Sequence, residues 1–143
     1  MSPRADVEFV LVDDDAGDVE LMKEALGALT PKPETTTFAS GEEALAYLQS
    51  AASDGRRRLV LLDLNMPGIG GRETLNRLKR DHSLRALPIV ILTTSSARVD
   101  IRQCYEEGAN CYIIKPLEFS QLITVAKRLQ DFWLGTVALP EGD

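Results

Sequence analysis

One histidine and two cysteines are all that 143 residues offer as imidazole or thiolate ligands to a metal ion. His82 lies in the polar stretch Lys79-Arg80-Asp81-His82-Ser83 and reads as an exposed loop residue, not a catalytic base. Cys104 and Cys111 form no CxxC pair and read as buried thiols acting as small hydrophobes. Zinc, which wants clustered His and Cys, is excluded on that count. No apolar run approaches the roughly 20 residues that span a bilayer. Residues Met1–Asp6 show no apolar signal segment, so a cytoplasmic location is expected, with no membrane contact. Positive charge is scarce too. Sixteen Lys and Arg stand against 22 Asp and Glu, a net charge of −6. That argues against binding nucleic acid or an anionic membrane, and it suits a cation.

What is present is ordinary for a folded chain: 44% hydrophobic and 27% charged residues. The length fits one domain. Five short apolar runs recur: Phe9–Val12, Thr36–Phe38, Leu59–Leu62, Ile89–Leu92 and Tyr112–Ile114. Four are nearly continuous in apolar and β-branched residues, as in parallel strands buried on both faces. The second is polar and is expected at an edge.

Helical spacing fills the gaps. Val19, Met22, Leu26 and Leu29 repeat at three to four residues and stop at Pro31-Lys32-Pro33. Ser40 followed by Glu43 is a capping-box pattern, with Leu45 and Leu48 behind it. Leu75 and Leu78 mark a third helix ending before Pro88. A fourth runs from about Ala97 to Glu107 and ends at Gly108. The fifth carries Leu122, Val125, Ala126, Leu129 and Trp133, with Gly135 as its cap. The order is βα five times over. It predicts an α/β fold, a five-stranded parallel sheet in the order 2-1-3-4-5 with helices on both faces, the flavodoxin-like topology. The core is expected over about 7–133, with an extension over 134–143 and loose ends at 1–6 and 140–143.

In such a sheet ligands bind past the C-terminal ends of the strands. Strand 1 ends at Asp13-Asp14-Asp15, strand 3 at Asp63-Leu64-Asn65, strand 4 at Thr93-Thr94, and strand 5 at Lys115-Pro116. Two carboxylates about 4 Å apart repel by on the order of 4 kcal/mol at an effective dielectric near 20. A fold that gathers several needs a hard cation, and Mg²⁺ is the fit. Lys115 adds a charge and Thr93 a hydroxyl suited to phosphoryl oxygens. Together they describe a site for an acyl phosphate on an aspartate. Arg56-Arg57-Arg58, before strand 3, reads as a solvated run.

These residues resemble the receiver domains of two-component response regulators over about 7–130. The motifs are Val12-Asp13-Asp14, Leu62-Asp63-Leu64-Asn65-Met66-Pro67, Gly71 eight residues past Asp63, Thr93, and Tyr112-Ile113-Ile114-Lys115-Pro116. The resemblance implies that Asp63 accepts the phosphoryl group. It implies Mg²⁺ held by Asp13, Asp14, Asp63 and the backbone carbonyl of Asn65, with Asp13 acting through water. Thr93 and Lys115 would contact the phosphoryl group, and Tyr112 would be the switch aromatic. Asp15 matches no motif and reads as a helix start or an outer charge. Thr94 stands where the family often has Ala or Gly, which bears on the rates of transfer and hydrolysis. Such a protein is a signalling acceptor, not an enzyme, beyond its own phosphotransfer and dephosphorylation.

A narrower resemblance runs through Leu92-Thr93-Thr94-Ser95, Asn110–Ile113 and Phe132–Pro140. It is to the single-domain response regulators paired with bacterial phytochromes. It implies a sensor histidine kinase as partner, a phytochrome, and no DNA-binding domain after residue 143. A homodimer is expected through Phe132, Leu134, Val137 and Leu139, apolar residues at or past the last helix. Two other readings stay open. One is a phosphatase of the haloacid-dehalogenase type, with Asp13 as nucleophile and Asp15 as acid/base. The other is an interaction module that is never phosphorylated.

Overall fold

The computed structural model describes residues 6–140. Five strands and five helices alternate: β1 (Val7–Val12), α1 (Ala16–Gly27), β2 (Glu34–Phe38), α2 (Gly41–Ala51), β3 (Arg57–Leu62), α3 (Gly70–Arg80), β4 (Ile89–Thr93), α4 (Arg98–Glu106), β5 (Cys111–Ile114) and α5 (Phe119–Leu129). The sheet is parallel, in the order β2-β1-β3-β4-β5. This is the expected flavodoxin-like arrangement. The expectation of loose ends falls almost wholly outside the described residues.

Alternation along each strand splits the core in two. Val7, Phe9 and Leu11 of β1 join Leu59, Leu61, Val90 and Leu92 beneath α1 and α5. Val10 and Val12 join Val60, Leu62, Ile89 and Ile91 beneath α2, α3 and α4. Cys104 is fully buried in the second cluster, and burial pushes its thiol up to about 11. Cys111 is only partly buried, so that expectation holds for one thiol and half of the other. His82 is exposed, as read.

β1, β2 and β3 begin about two residues earlier than the apolar runs suggested, because charged residues belong to the strands. Glu8 is 1% exposed and stands in register with Arg58 on β3. The Arg58 Nε donates to Glu8 at 2.6 Å, and its outer nitrogen donates to Asp54 at 2.5 Å. Thr36 and Tyr47 hydroxyls donate to the same Glu8 carboxylate at 2.5 and 2.8 Å. The arginine run is therefore paired, and one of its three members is buried. Arg58 is buried, Arg56 pairs with Glu34, and Arg57 pairs with Asp6.

The helix ends follow local chemistry. Asp15 caps α1 by accepting the Asp18 N–H at 2.9 Å, and Ser40 caps α2 by accepting the Glu43 N–H at 3.2 Å. The last helix departs from expectation. α5 stops at Leu129 and continues as a π-helical turn, Gln130–Leu134, closed by Gly135. The wider turn carries one more residue than an α-turn, so the inward position after Leu129 falls on Leu134 and not on Trp133, which is only partly buried. Leu134 is 1% exposed and packs, with Leu139, in the α1–α5 cluster. Buried Gln130 donates to the Pro31 carbonyl at 2.9 Å and ties the turn to the α1–β2 loop. The tail is part of the core, and the expected boundary at residue 133 does not mark the core's edge. Leu134 and Leu139 are therefore withdrawn as dimer contacts. Val137 is partly buried against the same cluster, and Phe132 alone of the four stays half-exposed, at 51%.

Candidate functional site

The register of the sheet aligns the strand ends. Val12 pairs with Leu62, Leu62 with Ile91, and Thr93 with Ile114. Backbone bonds carry the ladder one step further. The Asp63 N–H donates to the Val12 carbonyl at 3.0 Å, and the Lys115 N–H donates to the Thr93 carbonyl at 2.7 Å. Thus Asp13, Asp63, Thr93 and Lys115 arrive together although up to 102 positions separate them in sequence.

Asp13, Asp14 and Asp63 each bring a carboxylate oxygen within 4.8 Å of the other two. Asp13 is 3% exposed and Asp63 7%, whereas Asp14 faces solvent. The Asp13 carboxylate also accepts the Asp15 N–H at 2.9 Å. Lys115 Nζ lies 2.6 Å from Asp13, 3.1 Å from Asp18 and 3.5 Å from Asp63. Burial raises the Asp13 carboxyl above its ordinary value, and the hydrogen bond from Lys115 only partly opposes it. Burial would lower the Lys115 amine, but its bond to Asp13 and the charges of Asp13 and Asp63 outweigh that and raise it. The ammonium stays charged where a phosphoryl group would need it.

A cleft of about 500 Å³ opens over these groups, lined by Asp14, Asp15, Ala16, Asp18, Asp63, Asn65, Thr94 and Lys115. The Asn65 N–H points back to the Asp63 carboxylate at 3.4 Å. The turn that carries Asn65 has two glycines at φ +74°, Gly68 and Gly70, a backbone shape that side chains resist. The Thr93 hydroxyl is buried and has no hydrogen-bond partner. The donor set of hard oxygens around Asp13, Asp14 and Asp63 fits Mg²⁺ and not a softer ion.

Tyr112 is partly buried, and its hydroxyl donates to the Ser95 carbonyl at 2.8 Å. The ring is thus already tied to the β4–α4 loop. Asp15 spends its carboxylate on the start of α1. Asp18 was missed in the sequence. Its signal was its place one turn beyond Asp15, on the helix that the acidic loop opens.

Comparison with known proteins agrees with this geometry. The family model for the response regulator receiver domain matches residues 9–127. Response regulator Rcp1 of Synechocystis sp. is 37% identical over 135 residues, covering 92% of each chain. A probable methanogenesis regulatory protein, FilR2 of Methanothrix harundinacea, is 38% identical over 129 residues, covering 89% of this chain and 83% of its own. The crystal structure of the phosphorylated cyanobacterial phytochrome response regulator RcpA superposes with a TM-score of 0.85 at 39% identity, over 98% of this chain and 99% of that one. The Mn²⁺-bound form of Rcp1 gives a TM-score of 0.81 at 36% identity, over 93% and 98%. A match that runs almost from end to end, on a fold that brings the motif residues to one sheet edge, leaves one conclusion: this chain belongs to the response regulator receiver domain family.

Proposed function

We propose that the protein accepts a phosphoryl group on Asp63 from a histidine kinase, in a Mg²⁺-dependent phosphorelay. The observation that carries this reading is the Lys115 ammonium held 3.5 Å from Asp63, with a buried and unpartnered Thr93 hydroxyl on the neighbouring strand end. Lys115 is a donor at the place where phosphoryl oxygens would come to rest, and Thr93 is a donor left free to join it. An Asp63 oxygen attacks phosphorus, the bond from phosphorus to the histidine nitrogen breaks, and the imidazole leaves. Lys115 and Thr93 then offset the charge on the peripheral oxygens. Asp13, Asp14, Asp63 and the Asn65 carbonyl are the groups that would hold Mg²⁺, which supplies further neutralisation of phosphoryl charge. Thr94 is exposed in the cleft, where its side chain bears on access to the phosphoryl group.

A phytochrome is the proposed kinase, on the strength of the likeness to RcpA. Thr93 engaging the phosphoryl group would shift the balance of packings around Tyr112 and its bond to Ser95. A second copy of the chain is the proposed partner of the apolar groove formed by Cys111, Ile113, Val125, Leu129, Phe132, Trp133 and Val137. The groove encloses about 660 Å³ and leaves Phe132 in solvent.

The test is intact-protein mass after exposure to acetyl phosphate, with and without Mg²⁺. A gain of one phosphoryl group, dependent on Mg²⁺ and lost in Asp63→Asn, is the expected result. Labelling that persists in Asp63→Asn overturns the assignment.

A further inference from the structure

We propose that Asp18 is a positioning residue for phosphoryl transfer: its carboxylate anchors the Lys115 ammonium at the mouth of the cleft, so that one N–H stays aimed at Asp63. The inference rests on the reading of Asp63 as the acceptor and extends it to a residue outside the family's motifs.

Lys115 has three N–H donors and three carboxylates around it, at 2.6, 3.1 and 3.5 Å. Two of these partners have other work in the proposed reaction. Asp13 would share its charge with the metal ion, and Asp63 becomes an acyl phosphate. Only Asp18 keeps a free carboxylate throughout, and it faces the cleft from the first turn of α1. Its backbone is fixed by the cap, since Asp15 accepts the Asp18 N–H at 2.9 Å. The two acids divide the task. Asp15 holds the backbone of Asp18, and Asp18 holds the amine of Lys115. A long, flexible lysine stem gains most from such an anchor when its deeper partners change. In the step itself Asp18 exchanges no proton. With acetyl phosphate the Asp63 oxygen–phosphorus bond forms, the phosphorus–oxygen bond to the acetyl group breaks, and acetate leaves. An acid in the first turn also suits the helix dipole, and a purely structural role of that kind is the competing explanation.

The experiment uses the full chain with Asp18→Ala and Asp18→Asn. Phosphorylation by saturating acetyl phosphate is timed by intact mass across a Mg²⁺ series. The Lys115 Nζ signal, assigned by its loss in Lys115→Ala, is followed by ¹⁵N-lysine NMR. Both variants should slow the maximal rate by about tenfold, leave the half-saturating Mg²⁺ concentration unchanged, and move or broaden the Nζ signal. An unchanged rate, an unmoved Nζ signal, or a Nζ signal already lost to water exchange in the wild type overturns the proposal. So does a shifted Mg²⁺ requirement, which would make Asp18 part of the metal site. A wild-type chain that takes no phosphoryl group fails differently: it overturns the reading of Asp63, whereas the outcomes above leave that reading standing.

Discussion

A Cβ atom on Gly71 would stand 2.1 Å from the backbone carbonyl oxygen of Asp63 and 2.6 Å from the Cα of Leu64. The first turn of α3 packs directly on the peptide that presents Asp63, and the Gly71 N–H donates to the Leu64 carbonyl at 3.1 Å. No side chain fits there without moving the strand end. Gly71→Ala should therefore lower stability by about 1–3 kcal/mol through overpacking. It should also slow labelling of Asp63, because the shifted peptide carries the carboxylate with it. Urea unfolding and timed phosphorylation measure the two effects. A variant with wild-type stability and rate would mean that the contact is not tight.

Adjacent acids in one loop should behave differently toward Mg²⁺. Asp14→Ala removes a carboxylate from the three-oxygen cluster, and calorimetric titration should show binding largely lost. Asp15→Ala removes a helix cap and should lower stability by about 0.5–2 kcal/mol while Mg²⁺ affinity holds. Equal losses of affinity would contradict the division.

The opposite end of the sheet offers a stability test. Burial alone would raise the Glu8 carboxyl, yet hydrogen bonds from Thr36, Arg58 and Tyr47 hold it below its usual 4.5. A carboxyl lowered by folding stabilises the folded state above its unfolded value, and that contribution is lost as pH falls through the folded value. The Asp54 partner of Arg58 is held at about 2, below its usual 3.8, chiefly by its hydrogen bond to Arg58. Glu8→Ala strips a buried guanidinium of its closest inner partner and should cost about 3–5 kcal/mol at neutral pH. The variant should also lose part of the wild type's decline in stability below about pH 4.5. Denaturant unfolding across a pH series reads both.

Phe132 and Leu134 should separate association from folding. Phe132→Glu places charge on a half-exposed position, so stability should stay within about 0.5 kcal/mol while sedimentation shifts toward monomer. Leu134→Glu buries an unpaired charge in the α1–α5 cluster and should unfold the chain. A wild-type chain that sediments as monomer at tens of micromolar ends the dimer proposal.

Periodicity and strand-end chemistry made much of this protein legible. Continuous apolar runs such as Ile89–Leu92 mark strands buried on both faces, and Asp13, Asp63 and Lys115 stand directly after theirs. Local signals of that kind survive in one dimension because strand and helix periods are properties of neighbouring residues. What one dimension cannot carry is pairing across the sheet. Glu8 and Arg58 look like strand breakers until β1 and β3 lie in register and each neutralises the other. Asp18 looks like an ordinary first-turn acid until Lys115 arrives beside it from 97 residues away. The π-helical turn after α5 is decided by packing too. Leu134 reaches the core, and Gln130 the Pro31 carbonyl, only if the turn takes one extra residue. Motif and period placed Asp63, the acidic pair and the lysine at the strand ends. The tertiary structure decided which remaining charges are buried in pairs and which apolar tail residues belong to the core, because both depend on contacts between segments distant in sequence.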